Sequence, residues 1–178
     1  MDVEKVKRVM EGFGKEKLLE KAYRVGFELE RTRYVCAQCV VGALEEIFGI
    51  ENQAILQAAY PLGGGFGSTT EGTCGALSGG GIFLGYLYGR TKEEFEKCLT
   101  NRKATFLAKK LYDKFVKEFG SCRCRDVQEK IFGRSFDFWN EEDREAFEKA
   151  GGHTDKCPDV VGKTCVMCVE VVWEEIFG

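Results

Sequence analysis

Apolar residues recur at helical spacing along most of this chain. Between residues 2 and 31, Val3, Val6, Val9, Met10 and Phe13 are followed by Leu18, Leu19, Ala22, Tyr23 and Phe27. Gly12 and Gly14 divide the stretch, which predicts two helices. Cys36, Cys39, Val40, Ala43, Leu44, Ile47 and Phe48 then form one apolar face, which Gly49 ends. A long charged helix is expected over residues 91–119. Thr91 and Glu94 form a capping box at its start, and its apolar side comprises Leu99, Phe106, Leu107, Leu111, Phe115 and Phe119. A short helix follows at Asp126–Phe132. A polar insert covers about 133–156, with a small helix at Glu141–Ala150. The last helix opens at Cys157-Pro158, with Cys157 expected as its N-cap, and Cys157, Val161, Cys165, Cys168, Val172 and Ile176 make one stripe. No segment reads as strand. The expectation is an all-α, single-domain helical bundle over residues 1–178.

Residues 52–89 break the charge pattern, since Glu71 is their one charge and they hold 11 of the 22 glycines. Gly72–Gly89 is uncharged, but 7 of its 18 residues are glycine, too many for a membrane span. A buried central helix is expected instead. Gly79-Gly80-Gly81 would cost that helix about 1 kcal/mol each relative to Ala. Close approach by another helix or a bulky cofactor would offset this.

Lys plus Arg number 26 against 29 Asp plus Glu, a net charge of -3, which argues against a nucleic-acid surface. Met1–Arg8 alternates charge and lacks an apolar core, so it does not read as a secretory signal. A reducing, cytoplasmic setting is expected. There, 9 cysteines beside 1 histidine point to metal binding or redox chemistry, and an odd number cannot pair fully within one chain.

The CxxC pairs Cys36/Cys39 and Cys165/Cys168 lie inside helices, unlike the knuckle turns of zinc ribbons. Cys74 and Cys157 stand where helices begin, and a helix N-terminus favours thiolate. Cys124 lies between Arg123 and Arg125, and Cys36 follows Arg31 and Arg33, so both also sit in settings that favour thiolate. Cys39, Cys165 and Cys168 fall on core stripes and read first as small hydrophobes, and Cys98 reads as a packing residue on the long helix. The Gly63–Gly67 loop lacks the Lys-Ser/Thr of a phosphate loop and reads as a turn that lets backbone approach Cys74. His153 reads as a solvated loop residue.

Cys36-Ala37-Gln38, Gly72-Thr73-Cys74-Gly75-Ala76-Leu77-Ser78-Gly79, Gly120-Ser121-Cys122-Arg123-Cys124-Arg125 and Cys157-Pro158-Asp159-Val160-Val161-Gly162 follow one another along the chain. Over about residues 18–177 this series resembles the redox-active family named for its C…GCAxxG…C…C pattern. A domain similar to that family occurs in split-Soret cytochromes, where an iron–sulfur centre accompanies it. By this resemblance the four cysteines are Cys36, Cys74, Cys124 and Cys157, with Cys122 and Cys165 as alternatives for the third and fourth.

Three functions are therefore expected, in this order. The first is electron transfer to a redox partner through an iron–sulfur cluster on those four cysteines, with Gly72, Gly75 and Gly79 letting it approach backbone N–H groups. The second is metal-free thiol–disulfide exchange, with Cys74 attacking and Cys36 or another of the set resolving. The third is a zinc-stabilised interaction domain. A homodimer is expected if segment 52–89 proves more exposed than one chain can cover.

Overall fold

The computed structural model describes residues 2–178. Ten α-helices follow one another: α1 (Asp2–Phe13), α2 (Lys15–Arg33), α3 (Cys36–Phe48), α4 (Gln53–Ala59), α5 (Gly75–Tyr88), α6 (Lys92–Glu96), α7 (Lys103–Phe119), α8 (Cys124–Phe132), α9 (Glu141–Lys149) and α10 (Cys157–Phe177). A 3₁₀ turn at Tyr60–Leu62 follows α4, and a π turn at Gly152–Lys156 leads into α10. The all-α architecture matches the hydrophobic pattern. Among the described residues, the one departure from helix and turn pairing is an antiparallel bridge between Thr73 and Arg123.

The core gathers the apolar faces of α2, α3, α5, α7 and α10, with Val6 and Met10 of α1 closing one side. Leu107, Leu111, Phe115 and Phe119, spaced by four, form the buried stripe of α7, and Phe48 stacks on Phe83 with ring centroids 5.8 Å apart. Two glycines of α5 are explained by neighbouring helices. A Cβ on Gly80 would lie 2.6 Å from Leu111 Cδ2 and 2.7 Å from Cys168 Sγ, and one on Gly79 would collide with the Ala37 carbonyl of α3. At these two positions helix contact, not a cofactor, offsets the propensity cost.

The long helix expected over 91–119 is two helices. The Thr91–Glu94 capping box is present but opens only the five-residue α6. The chain then turns at Cys98, which has φ 53° and is exposed, so it is not a packing residue. Asn101 restarts the helix: its Oδ1 accepts from Lys103 N–H at 3.0 Å and its Nδ2 donates to the Tyr88 carbonyl at 3.1 Å. Leu99 and Phe106, assigned to the apolar side, are exposed. A capping box fixes where a helix starts but says nothing about its length.

Candidate functional site

Local sequence and one long-range clip bring the cysteines together. Cys74 caps α5 at its N-terminus, as expected, and Cys124 is the first residue of α8. Residues 70–74 and 122–125 pair antiparallel: Cys74 N–H donates to Cys122 O at 2.7 Å, Cys124 N–H to Gly72 O at 2.9 Å and Arg125 N–H to Thr70 O at 2.9 Å. The chain enters α8 at Cys124, whose thiol turns to Cys74, while Cys122, before the helix, turns to the Tyr112 hydroxyl. Loop 63–72 folds over this clip. Gly65 has φ +75°, and a Cβ there would lie 2.7 Å from Cys124 Cβ. The loop thus approaches Cys124, its Gly64 N–H reaches Cys36, and Gly63 packs on Gly75 beside Cys74.

Cys36, Cys74, Cys124 and Cys157 all line one cavity of about 480 Å³. None of the other five cysteines does. Cys165 and Cys168 are fully buried, packed at Gly26 and Gly80. The Cys39 thiol donates to Tyr34 O at 2.7 Å. Of the three glycines assigned to a cofactor, none lines the cavity. Gly75 comes nearest, since a Cβ there would collide with Cys36 Sγ; Gly72 packs on Gly65 and Gly79 on Ala37. The N–H groups that do reach site sulfurs are those of Ala76 and Leu77 at Cys74, and of Gly64 and Ala37 at Cys36.

The thiolate-favouring settings read from sequence are overridden. Burial pushes the Cys36 and Cys157 thiols well above their ordinary range, and the Glu30 carboxylate adds to this. The hydrogen bond between Cys74 and Cys124, then burial, raises Cys74 in the same direction, and the helix N–H groups oppose it only in part. Cys36 and Cys157 keep some accessible surface, but it faces the cavity rather than bulk water. Arg123 and Arg125 are both held by Glu71, the latter at 3.0 Å, so their charge is compensated. Cys157 is not an N-cap: its N–H donates to Gly152 O, and the π turn runs directly into α10.

The cavity also holds residues that pattern reading passed over. Glu30 is 2% exposed, its Oε2 has no hydrogen-bond partner, and its Oε1 lies 4.0 Å from His153 Nε2. Burial pushes its carboxyl up to about 7, against a smaller lowering from Cys39. The signal was available: Leu18, Ala22, Gly26 and Glu30 recur every four residues, so a charge occupies the buried register of α2. His153 is not a solvated loop residue. Its ring packs 4.3 Å from Tyr34 and 5.0 Å from Phe147, centroid to centroid, and its Nδ1 meets Glu148 Oε1 at 2.5 Å. Trp139 overhangs the cavity, its Nε1 donating to Gly67 O at 3.0 Å. Strained backbone clusters here too. Tyr34 and Val35 have φ of 62°, and Phe66, Ser68 and Thr70 also have positive φ. For a β-branched residue such as Val35 this costs about 1–3 kcal/mol, a pattern that concentrates at functional sites.

The sequence model of one protein family, described as "Putative redox-active protein (C_GCAxxG_C_C)", matches residues 34–171. The chain belongs to this family. No curated protein and no solved structure matches it. The match takes in α3 to most of α10 and so spans all four cysteines on the cavity wall. Among the described residues of this C_GCAxxG_C_C protein, no three His, Cys, Asp or Glu side chains are grouped to hold a single metal ion, and no helix is long and apolar enough to cross a membrane.

Proposed function

We propose that this redox-active family member is a cytoplasmic electron-transfer protein that holds an iron–sulfur cluster on Cys36, Cys74, Cys124 and Cys157. One observation carries the reading: these four thiols, and no others of the nine, line a common cavity. Among the described residues they line a void without grouping to hold one ion, which suits a multi-atom cluster held at its corners better than a single zinc ion. The cluster would supply one-electron oxidation and reduction. The protein's own part is to exclude water with the buried walls and to aim N–H groups of Ala76, Leu77, Gly64 and Ala37 at the ligand sulfurs. Such hydrogen bonds tune a cluster's potential. Exposed aromatic residues at and near the mouth, Tyr60, Phe66 and Trp139, offer an apolar surface for a redox partner.

The test is anaerobic purification followed by a visible spectrum and iron, sulfide and zinc analysis on one sample. Brown protein with matched iron and sulfide, lost in Cys74→Ser, is expected. Colourless protein that also fails anaerobic reconstitution overturns the cluster.

A second reading has its own observation. The Cys74 and Cys124 thiols face each other, which is the arrangement a dithiol–disulfide couple needs. The resolving partner of Cys74 would then be Cys124 rather than Cys36. Loss of two thiols on mild oxidation of metal-free protein, restored by reductant, supports this reading; an unchanged thiol count excludes it.

A further inference from the structure

The four thiols make up only part of the cavity's lining. A volume of about 480 Å³ lies within the range of small-molecule sites, roughly 300–1,000 Å³. The rest of the lining has the usual makeup of such a site: flat apolar walls with a few fixed polar groups. Tyr34, Phe138, Trp139 and Phe147 supply the walls. Glu30 is the inner polar group. A buried carboxyl oxygen without a partner is costly, and native proteins rarely leave one so. The Cys39 thiol lies beside the carboxyl, and His153 Nε2 stands off at 4.0 Å from Oε1, but Oε2 itself is left without a partner. Arg144 is the outer polar group. It is exposed, lines the cavity, and has no ion-pair partner among the described residues.

We propose that the cavity binds a small, flat organic acid beside the thiols, with an N–H donor at one end meeting Glu30 and a carboxylate at the other meeting Arg144. The two polar groups set the direction of entry. A carboxylate driven inward would face Glu30 and the thiols, whereas at the rim it gains a guanidinium. An amine or amide N–H carried inward gives Glu30 Oε2 the partner it lacks, and that hydrogen bond favours the ionised carboxylate. The aromatic body displaces water from apolar wall. Trp139, anchored to Gly67 at the mouth, covers the outer face. The proposal takes the cavity to be the redox site, and so names the class of molecule that site would serve.

The probes are 4-aminobenzoate, which has both ends, and benzoate and aniline, which each have one. Binding is measured by calorimetry and by saturation-transfer NMR on anaerobically purified protein, with iron and sulfide determined on the same sample. The expected result is that 4-aminobenzoate binds more tightly than either half. Arg144→Ala, a surface change that leaves the fold intact, should weaken it about tenfold, the loss of one charge-assisted contact. Glu30→Met should do the same, with a melting curve checking that it folds. Equal binding of the three probes, no binding at millimolar concentration, or indifference to Arg144→Ala overturns the proposal. Protein that carries iron but ignores the probe sinks this inference alone. Protein that takes the probe but no iron sinks the cluster and leaves the ligand site standing.

Discussion

Cys74 and Cys124 are 50 residues apart in sequence, yet their thiols face each other on the wall of one cavity. The antiparallel clip between residues 70–74 and 122–125 creates this contact, since two backbone hydrogen bonds of 2.7 and 2.9 Å flank the pair. The two thiols are therefore positioned by main chain, not by flexible side chains. Mild oxidation of metal-free protein by glutathione disulfide should link them first. Peptide mapping by mass spectrometry is expected to find Cys74–Cys124 as the dominant disulfide, formed with release of two glutathione thiols. A dominant Cys36–Cys74 link would show that the clip opens in solution.

Two glycines of α5 should respond in opposite directions to the same substitution. At Gly75 a methyl group would collide with Cys36 Sγ and lie 3.0 Å from the Leu62 carbonyl. Backbone cannot give way cheaply, so Gly75→Ala should destabilise by about 1–3 kcal/mol, more than the helix-propensity gain returns. At Gly81 nothing lies within 4 Å, and Gly81→Ala should stabilise by about 0.5–1 kcal/mol. Urea denaturation of both variants checks the pair. Equal effects would mean that α5 does not sit against Cys36 as described.

Patterns with short range were legible in the sequence and patterns with long range were not. The stripes of α3 and α10 and the capped start of α5 at Cys74 follow from spacing and local chemistry, and they survive in the fold. The α6–α7 break was missed because the Thr91 capping box drew attention from Asn101, the second start signal ten residues on. The site was half legible. Four cysteines could be singled out, but their thiolate character could not, because burial and the pairing of Arg123 and Arg125 with Glu71 depend on the tertiary structure. Glu30 was hidden for the opposite reason: a charged residue in an apolar register is read as noise until the helix facing it is known.

Cysteines on the cavity and cysteines in the core should separate cleanly by experiment. Cys168 is fully buried against Gly80, between α5 and α10. A hydroxyl there exchanges a weakly polar sulfur for a group that wants a hydrogen bond, so Cys168→Ser should cost about 1–2 kcal/mol. Its iron and sulfide content per folded molecule should stay at the wild-type level. Cys36→Ser should do the reverse, with a smaller change in unfolding free energy and loss of iron. Denaturation curves and metal analysis on the same two preparations decide it. Iron lost in both variants would place Cys168 in the site.

The buried carboxyl of Glu30 makes stability fall as pH rises. Its folded-state value is pushed from 4.5 up to about 7 by burial. Below the unfolded value both states hold the proton, and the group contributes nothing to the pH dependence. Between about 4.5 and 7 the unfolded chain gives up the proton while the folded one keeps it, so each pH unit removes stability. The full loss, reached above about 7, is on the order of 3 kcal/mol. Glu45, also raised by burial, adds a smaller slope of the same sign. Melting temperature measured from about pH 5 to pH 8 should therefore decline in the wild type. Glu30→Gln removes the titrating group and should flatten most of that decline, leaving the Glu45 share. A wild-type profile that rises over this interval, or an unchanged slope in Glu30→Gln, would show that Glu30 reaches water and that its part of the cavity wall is open.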